Sequence, residues 1–374
     1  MRTTARDYRD GRLIEIETAG GLIARIEPAV RQPDPAPDDP WVAPAFWDIQ
    51  MNGRWGVSFS SPDLTVDDVC EIIHAQRSLG TACVCPTLIT AQADHLRHGL
   101  ATIDAACRAD AEVARRVVCV HLEGPFISPL DGYRGAHPLD AVRDPDWELF
   151  LSLQKASGGR IGLVTLAPER PGAIDFIGRA VSSGVVVALG HTAAEPAVFH
   201  EAALAGAALS THLGNGIAAE LPRHPNPIWE QASIDALSAS FIADARHLDL
   251  STLRVLARVK GPDRVILVSD ASPLAGLPPG RHGPWEILET GAIVVAGTSY
   301  LAGSGDPLET GVRNLIRATG WPLELVLDAA TANPARLLGR PEPRLEPGQP
   351  DELVFFKASS DEPFALVDRA GLSN

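Results

Sequence analysis

Lysine is scarce in this 374-residue sequence, which contains only Lys155, Lys260 and Lys357, and 47 acidic side chains outnumber 32 basic ones. The resulting net charge of −15 is the opposite of the positive surface with which proteins bind nucleic-acid phosphates. The sequence also has no uncharged apolar run of the roughly 18 residues that a membrane-spanning helix needs. These absences exclude nucleic acid and the membrane as partners.

Cysteine is also rare, and its spacing lacks the pattern of a disulfide framework. The five cysteines are odd in number and include one Cys-x-Cys, at Cys83 and Cys85, but no Cys-x-x-Cys pair. We therefore predict buried, reduced thiols and no zinc ribbon. The first 20 residues alternate charges with short apolar stretches and lack the apolar core of a signal peptide, so we expect a cytoplasmic protein.

Apolar runs of strand length alternate with amphipathic segments of helical length through most of the chain. Because parallel strands need long crossover connections, eight such repeats predict an α/β fold, a (β/α)8 TIM-like barrel. The eight predicted strands are at residues 45–49, 82–86, 117–122, 161–166, 185–189, 207–211, 239–242 and 265–268.

The two ends of the chain have a different pattern. Short alternating strands are predicted at 13–16, 22–26 and 352–356, and the proline-rich stretch 31–40 suits a semi-rigid connector. We expect both ends to form a small β-sandwich domain, from residues 1–44 and 336–374. Residues 45–335 would then form the catalytic barrel.

Four predicted barrel strands end in residues that bind metals or transfer protons. The third runs into Glu123, the fifth into His191, the sixth into His212 and the eighth into Asp270. Each alone is more often a structural residue or a helix cap. Active sites of such barrels lie at the carboxyl ends of the strands, so all four would meet at one mouth. Two histidines and a glutamate predict a catalytic metal site with one position left for water.

Longer motifs around these residues show a resemblance. The motifs extend over nearly the whole chain, and in their sequence and order they resemble those of the N-acetylglucosamine-6-phosphate deacetylase family of the amidohydrolase superfamily. They are HLEGPF at 121–126, GAH at 135–137, LGHT at 189–192, THLGN at 211–215, IADARH at 242–247, VSDA at 268–271 and LAGS at 301–304. The resemblance implies a metal-dependent hydrolase that converts N-acetylglucosamine 6-phosphate into glucosamine 6-phosphate and acetate.

The resemblance also implies roles for individual residues. Glu123, His191 and His212 would hold one divalent metal ion per subunit, with zinc the first choice and Fe(II) the second. Asp270 would be the general base toward the attacking water and the acid toward the departing amine. The family implies a homodimer in which Arg223 reaches across the interface. The substrate would be an amino-sugar phosphate. Ala136 and His137 would contact it near the amide, and the phosphate would be bound by Asn215, Gly216, Arg223 and His247. A loop of Leu301, Ala302 and Gly303 would line the pocket, or could equally be a simple turn.

Departures from the family pattern concern the number of metals and the substrate. The first strand carries Gln50 and Asn52 where many amidohydrolases have His-x-His, and the fourth lacks a metal-bridging lysine, so we expect one metal. Gly216 replaces the usual alanine and Ala245 replaces a usual glycine, which leaves open another N-acyl amino sugar or an N-acyl amino acid as substrate. A non-catalytic binding protein is the alternative from a different class. His121 has a structural or supporting role in our interpretation.

Overall fold

Eight parallel strands form the largest sheet of the computed structural model, which describes residues 1–29 and 39–368. Residues 31–38 of the predicted connector therefore lie outside the described residues. Neighbouring strands follow one another in chain order, which confirms the predicted TIM-like architecture. The strands are β5 (Phe46–Met51), β8 (Thr81–Ile89), β9 (Val120–Glu123), β10 (Ile161–Leu166), β11 (Val186–Leu189), β12 (Leu209–Ser210), β13 (Ser238–Ile242) and β14 (Val265–Val268).

The first and last of these strands close the barrel in two different ways. At the carboxyl end, Met51 and Ala271 form a parallel bridge. At the amino end, the N–H groups of Trp47 and Leu267 each donate a 2.8 Å hydrogen bond to the carbonyls of Ala330 and Ala329, respectively. Residues 329–330 thus form a wedge in the seam between β5 and β14.

Helices connect the strands and cover the barrel, because a parallel sheet needs a crossover after each strand. Their apolar faces are buried against the strands, as Leu96, Leu100 and Ile103 of the second helix show. The helices are α1 (Val66–Ala75), α2 (Ala93–Ala109), α3 (Ala111–Arg116), α4 (Trp147–Ala156), α5 (Ala173–Ser182), α6 (Pro196–Leu204), α7 (Pro227–Ser233), α8 (Leu250–Lys260), α9 (Leu308–Thr319), α10 (Leu323–Asp328) and α11 (Ala332–Leu337), with short 3-10 turns at Gln76–Leu79, Leu139–Ala141 and Pro262–Arg264.

Apolar side chains from all around the barrel fill its interior and form a floor beneath the strand ends. Ile49, Leu163 and Ile266 belong to this cluster, and Leu337 and Leu338 pack against it. The Sγ atoms of Cys85 and Cys119 lie 3.3 Å apart in the same cluster. All five cysteines are free thiols, as predicted, but the prediction that all are buried is wrong for Cys70 and Cys83, which are partly exposed.

Both chain ends pair in one six-stranded sheet beside the barrel. Strand β4 (Trp41–Pro44) lies parallel to β1 (Arg2–Asp7) and antiparallel to β18 (Leu353–Lys357), so the sheet joins residues from opposite ends of the chain. Only Ala45 separates β4 from β5 of the barrel. The predicted division into two domains, 1–44 with 336–374 and 45–335, stays a prediction. The six strands are β1 (Arg2–Asp7), β2 (Leu13–Ala19), β3 (Leu22–Pro28), β4 (Trp41–Pro44), β18 (Leu353–Lys357) and β19 (Ala365–Val367).

Two small sheets lie near the barrel mouth, and the sequence patterns predicted neither. A hairpin pairs β6 (Gly53–Arg54) with β7 (Val57–Ser58), and β15 (Gly280–His282), β16 (Trp285–Ile287) and β17 (Ile293–Val295) form an antiparallel sheet. Ile287 and Ile293 dock this second sheet on a cluster with Leu274 and Ala302. None of the helices in the described ranges has the length and apolarity to cross a bilayer.

Candidate active site

A cavity of about 300 Å³ opens where the barrel strands end. It collects every site residue predicted from the sequence except Arg223. The predicted residues that line it are Glu123, Ala136, His137, His191, His212, Asn215, Gly216, His247, Asp270, Leu301, Ala302 and Gly303.

Glu123, His191 and His212 meet at one point of this cavity. Oε1 of Glu123 lies 3.2 Å from Nε2 of His191 and 2.9 Å from Nε2 of His212, and all three side chains are buried. In the described part of the chain, these three form the only group of three or more His, Cys, Asp or Glu residues close enough to share an ion. Two imidazoles and a carboxylate fit a divalent transition metal.

The orientation of the histidines suits metal binding. Nδ1 of His191 donates to the carbonyl of Tyr133 at 2.9 Å, which leaves the lone pair of Nε2 directed toward Glu123. The buried Nδ1 of His212 has no hydrogen-bond partner among the described residues. Both histidines therefore direct Nε2, and not Nδ1, at the shared point.

The electrostatics of the three residues favour positive charge at that point. Burial would raise the pKa of Glu123, but its contacts with His191 and His212 hold the pKa well below its usual range. Burial would lower the pKa of His212, yet its contact with Glu123 raises it. The carboxylate thus stays ionised although it is buried, as a metal ligand must.

Asp270 lies beside this group and is held by two amides. Its Oδ1 accepts hydrogen bonds from Nδ2 of Asn52 at 2.7 Å and from Nε2 of Gln50 at 3.2 Å. The same Nε2 donates to Oε1 of Glu123 at 3.0 Å, so Gln50 links the two carboxylates. Burial, and then the negative charge of Glu123, raise the pKa of Asp270 to about 6. A carboxyl group with such a pKa can both take up and release a proton near neutral pH.

Two further histidines are neutral because they are buried. His137 lines the cavity, its Nδ1 lies 2.8 Å from Oγ1 of Thr90, and burial followed by the charge of His191 lowers its pKa to about 3. His121 does not line the cavity. Its Nε2 lies 2.8 Å from Oγ1 of Thr165, and burial lowers its pKa to about 4. His137 can therefore face a substrate, whereas His121 supports the strands below it.

His247 also lines the cavity and is fixed by Asp244. Nδ1 of His247 lies 2.8 Å from Oδ2 of Asp244, which also accepts a 3.0 Å hydrogen bond from the Ser304 hydroxyl. Burial opposes ionisation, but the hydrogen bonds from His247 lower the pKa of Asp244 to about 2. Arg223 is exposed and does not line the cavity of its own chain. No described lysine or arginine lines it either.

Three residues near the reacting centre were missed by reasoning from the sequence. Asn52 binds Asp270, and its position in the Gln-x-Asn segment was the available signal. Trp285 and Tyr300 line the cavity from the three-stranded sheet and the loop after it. That region has no motif or periodic pattern that would predict its contribution.

Known proteins share both sequence and architecture with this chain, although no family model matches it. It is 36% identical to the Bos taurus protein named N-acetylglucosamine-6-phosphate deacetylase over 311 residues, which are 80% of this chain and 74% of the relative. A Bacillus subtilis protein of the same name is 28% identical and covers 81% of this chain and 77% of its own length.

Solved structures agree with this relationship. The N-acetyl-D-glucosamine-6-phosphate deacetylase of Mycobacterium smegmatis has a TM-score of 0.85 at 30% identity and covers 99% of both chains. A mutant of that protein, solved in complex with N-acetyl-D-glucosamine-6-phosphate, has a TM-score of 0.84 at 30% identity over 98% of this chain and 97% of its own. The chain belongs to the N-acetylglucosamine-6-phosphate deacetylase family.

Proposed function

We propose that this chain hydrolyses the N-acetyl group of N-acetylglucosamine 6-phosphate and releases glucosamine 6-phosphate and acetate. The observation that carries the proposal is the meeting of Glu123, His191, His212 and Asp270 in one cavity. A relative with 36% identity is named for this activity. An intact set of metal ligands with a general base beside it argues against a non-catalytic binding protein.

Glu123, His191 and His212 would hold one divalent metal ion per chain, and we propose zinc first and Fe(II) second. When bound, such an ion lowers the pKa of a water molecule toward about 7 and polarises the carbonyl of the substrate. Gln50 stands where many amidohydrolases have a histidine that supports a second metal ion. Its Nε2 donates to two carboxylates, Glu123 and Asp270, so we propose a single ion.

Asp270 moves the protons in the proposed reaction. Its Oδ1 is held by Asn52 and Gln50, which leaves Oδ2 to exchange a proton with the attacking water. The same carboxyl then protonates the amine nitrogen as the C–N bond breaks, because amide hydrolysis needs a proton on a poor leaving group. Neutral His137, which also lines the cavity, orients the acetamide.

We propose that the phosphate is bound by Asn215, Gly216 and His247 of one chain together with Arg223 of a second copy. Support comes from the absence of a described lysine or arginine around the cavity and from the exposure of Arg223. A dianionic group is poorly balanced by one histidine. The proposal therefore includes a homodimer. A phosphorylated sugar crosses bilayers poorly, which favours a cytoplasmic protein.

The experiment that tests the proposal is acetate release by zinc-loaded protein from three compounds. They are N-acetylglucosamine 6-phosphate, the unphosphorylated sugar and the galacto epimer of the phosphate. We expect a strong preference for the first. Equal rates on the unphosphorylated sugar would refute the phosphate site. No release from any of the three, with one metal per chain, would shift the proposal to another N-acyl amino sugar or an N-acyl amino acid.

A further inference from the structure

Asp48 is a buried carboxylate that the proposed reaction does not use. It lies on β5 with 3% of its surface exposed, and it does not line the cavity. Its Oδ1 accepts hydrogen bonds from the backbone N–H of Ser269 at 3.1 Å and of Gln50 at 3.3 Å. Its Oδ2 accepts from the hydroxyl of Ser269. Asp48 thus joins the first barrel strand to the residue before Asp270.

The contacts of Asp48 are part of a clamp around Asp270. The Ser269 hydroxyl oxygen accepts from the N–H of Ala271 at 3.1 Å, so it spans the residue between them. The N–H of Asp270 donates to the carbonyl of Gln50 at 2.9 Å. The peptide group before Asp270 is therefore bound to Gln50 of β5, and the peptide group after it is bound to Ser269. Asp48 in turn fixes Ser269.

The backbone of Asp270 needs such a clamp. Its φ of 46° lies in the left-handed region. For a residue other than glycine this conformation costs about 1–2 kcal/mol. The N–H of Ser304 also donates to the carbonyl of Asp270, at 2.9 Å, so the contacts from Asp48 and Ser269 are one of two supports of this backbone. Loss of either support lets the backbone shift, and a carboxylate on a short side chain shifts with it.

Stability of the fold does not explain a carboxylate at position 48. All the groups that donate hydrogen bonds to Asp48 are neutral, and within the described ranges it forms no ion pair. Burial raises the pKa of Asp48 to about 6, which shows that its charge is costly there. A neutral side chain would be cheaper to bury.

We propose that Asp48 is a positioning residue for the hydrolysis, which acts through Ser269 to hold Asp270 in the conformation that directs its carboxylate into the cavity. The inference rests on the proposed function, since only that reaction makes Asp270 the base. Asp48 itself touches neither the substrate cavity nor the proposed metal ligands.

The test compares Asp48→Ala, Asp48→Asn and Ser269→Ala with the wild type. We expect Asp48→Ala to lower kcat about 100-fold, the loss typical of a displaced catalytic group. KM should stay within about threefold and metal content at one per chain, because the binding residues are untouched. Asp48→Asn retains an acceptor for the two N–H groups, so its kcat should be at least about tenfold higher than that of Asp48→Ala.

Asn333→Ala is the matched control. Nδ2 of Asn333 donates to the carbonyls of Pro262 and Val265, both at 2.7 Å, and so fixes the opposite end of β14. Asn333 is buried to a similar degree, with 4% exposed. Its loss should lower the melting temperature and leave kcat unchanged.

Each result decides between the two proposals. An active wild type together with an equally active Asp48→Ala would overturn this inference and leave the proposed function standing. If Asp48→Ala does not fold, unchanged kcat in both Asp48→Asn and Ser269→Ala would overturn it as well. A metal-loaded wild type that releases no acetate would instead overturn the proposed function.

Discussion

His191, His212 and Asp270 have left-handed backbone conformations, with φ of 50°, 31° and 46°. Such conformations cost of order 1–3 kcal/mol each and persist only where the surroundings enforce them. Here the N–H of His212 donates to the Ser240 hydroxyl at 2.8 Å, and Asp270 is clamped on both sides. The strand ends thus turn sharply enough to direct three side chains into one cavity.

Replacing Asp270 by asparagine should nearly abolish turnover. The amide has a similar shape but cannot accept a proton from water, so we expect kcat to fall about 1000-fold or more. Metal content should stay the same, because Asp270 is not one of the three proposed ligands, Glu123, His191 and His212. Steady-state kinetics and metal analysis of Asp270→Asn check both expectations.

Asp328→Asn is the matched control for that variant. Asp328 is also a partly buried aspartate with a pKa raised to about 6, but it does not line the cavity. Its replacement should leave kcat unchanged. Unchanged turnover in Asp270→Asn would remove Asp270 from the mechanism.

Ala245→Gly should stabilise the protein. Ala245 has a φ of 62°, in the loop that carries His247 and at a position where the family usually has glycine. Removing the strain of a left-handed alanine raises the free energy of unfolding by about 1–2 kcal/mol. The added flexibility of glycine in the unfolded chain lowers it by about 0.4–1 kcal/mol. Urea unfolding should therefore show a net gain of about 0.5–1 kcal/mol.

Ala236→Gly provides the comparison for Ala245→Gly. Ala236 is exposed and is not among the residues with positive φ, so glycine there relieves no strain. We expect a loss of about 0.5–1 kcal/mol. Equal losses in both variants would mean that Ala245 is not strained.

Four of the predicted site residues lie at strand ends, and that is why reasoning from the sequence alone could propose them, whereas the others depended on the family resemblance. Glu123, His191, His212 and Asp270 each follow a buried apolar run, and a barrel brings such positions together. The double amide contact of Gln50 could not be predicted. It depends on the orientation of one side chain between two carboxylates.

At the scale of elements, Asp328 at the end of α10 links stability to pH. Burial, and then nearby Glu324, raise its pKa from 3.8 to about 6. The folded state therefore binds this proton more tightly than the unfolded state, and its contribution to stability is lost as the pH rises from about 4 to about 6. Asp328→Asn should gain stability relative to the wild type over that range, which urea unfolding at several pH values measures.

Thr331→Val tests whether that gain comes from titration. Thr331 is buried three residues after Asp328, and its hydroxyl donates to the Leu327 carbonyl at 2.7 Å. Neither threonine nor valine titrates, so the stability difference between this variant and the wild type should not depend on pH. A pH-independent difference for Asp328→Asn would contradict the raised pKa.

Regular elements were easier to predict than irregular ones. The predicted strands 161–166 and 265–268 coincide with β10 and β14, because both are continuous apolar runs with clear ends. The sheet formed by β15, β16 and β17 was missed. Its strands have three residues each, too few to show an alternating pattern.

At the scale of the whole molecule, the proposed sharing of Arg223 between subunits has a clear test. Arg223→Ala and Asp270→Asn should each be inactive as homodimers. Random mixing by co-expression makes half of the dimers mixed, with one complete site in each, so about a quarter of wild-type activity should return.

A site built within one chain gives a different result. If Arg223 served its own chain, neither subunit of a mixed dimer would hold both Arg223 and Asp270. No activity should then return on mixing. An Arg223→Ala variant with full activity on the phosphorylated sugar would remove Arg223 from the site altogether.

The proposed role of Arg223 at the phosphate depends on the family resemblance alone. No pattern of residues along a single chain predicts it. Its side chain is exposed in a loop before α7, outside the cavity. Charge neutralisation from a second copy leaves no signal in the spacing of residues along one chain. The barrel itself, in contrast, follows from local patterns that repeat eight times.

The wedge at residues 329–330 has a consequence for synthesis on the ribosome. It follows all eight barrel strands in the chain, so a nascent polypeptide can expose every strand before the amino end of the seam between β5 and β14 can close. Asn52 and Asp270 lie on opposite sides of that seam. Until the wedge emerges from the exit tunnel, the amino ends of these two strands lack their hydrogen-bond partners, and unpaired strand edges are open to wrong pairing.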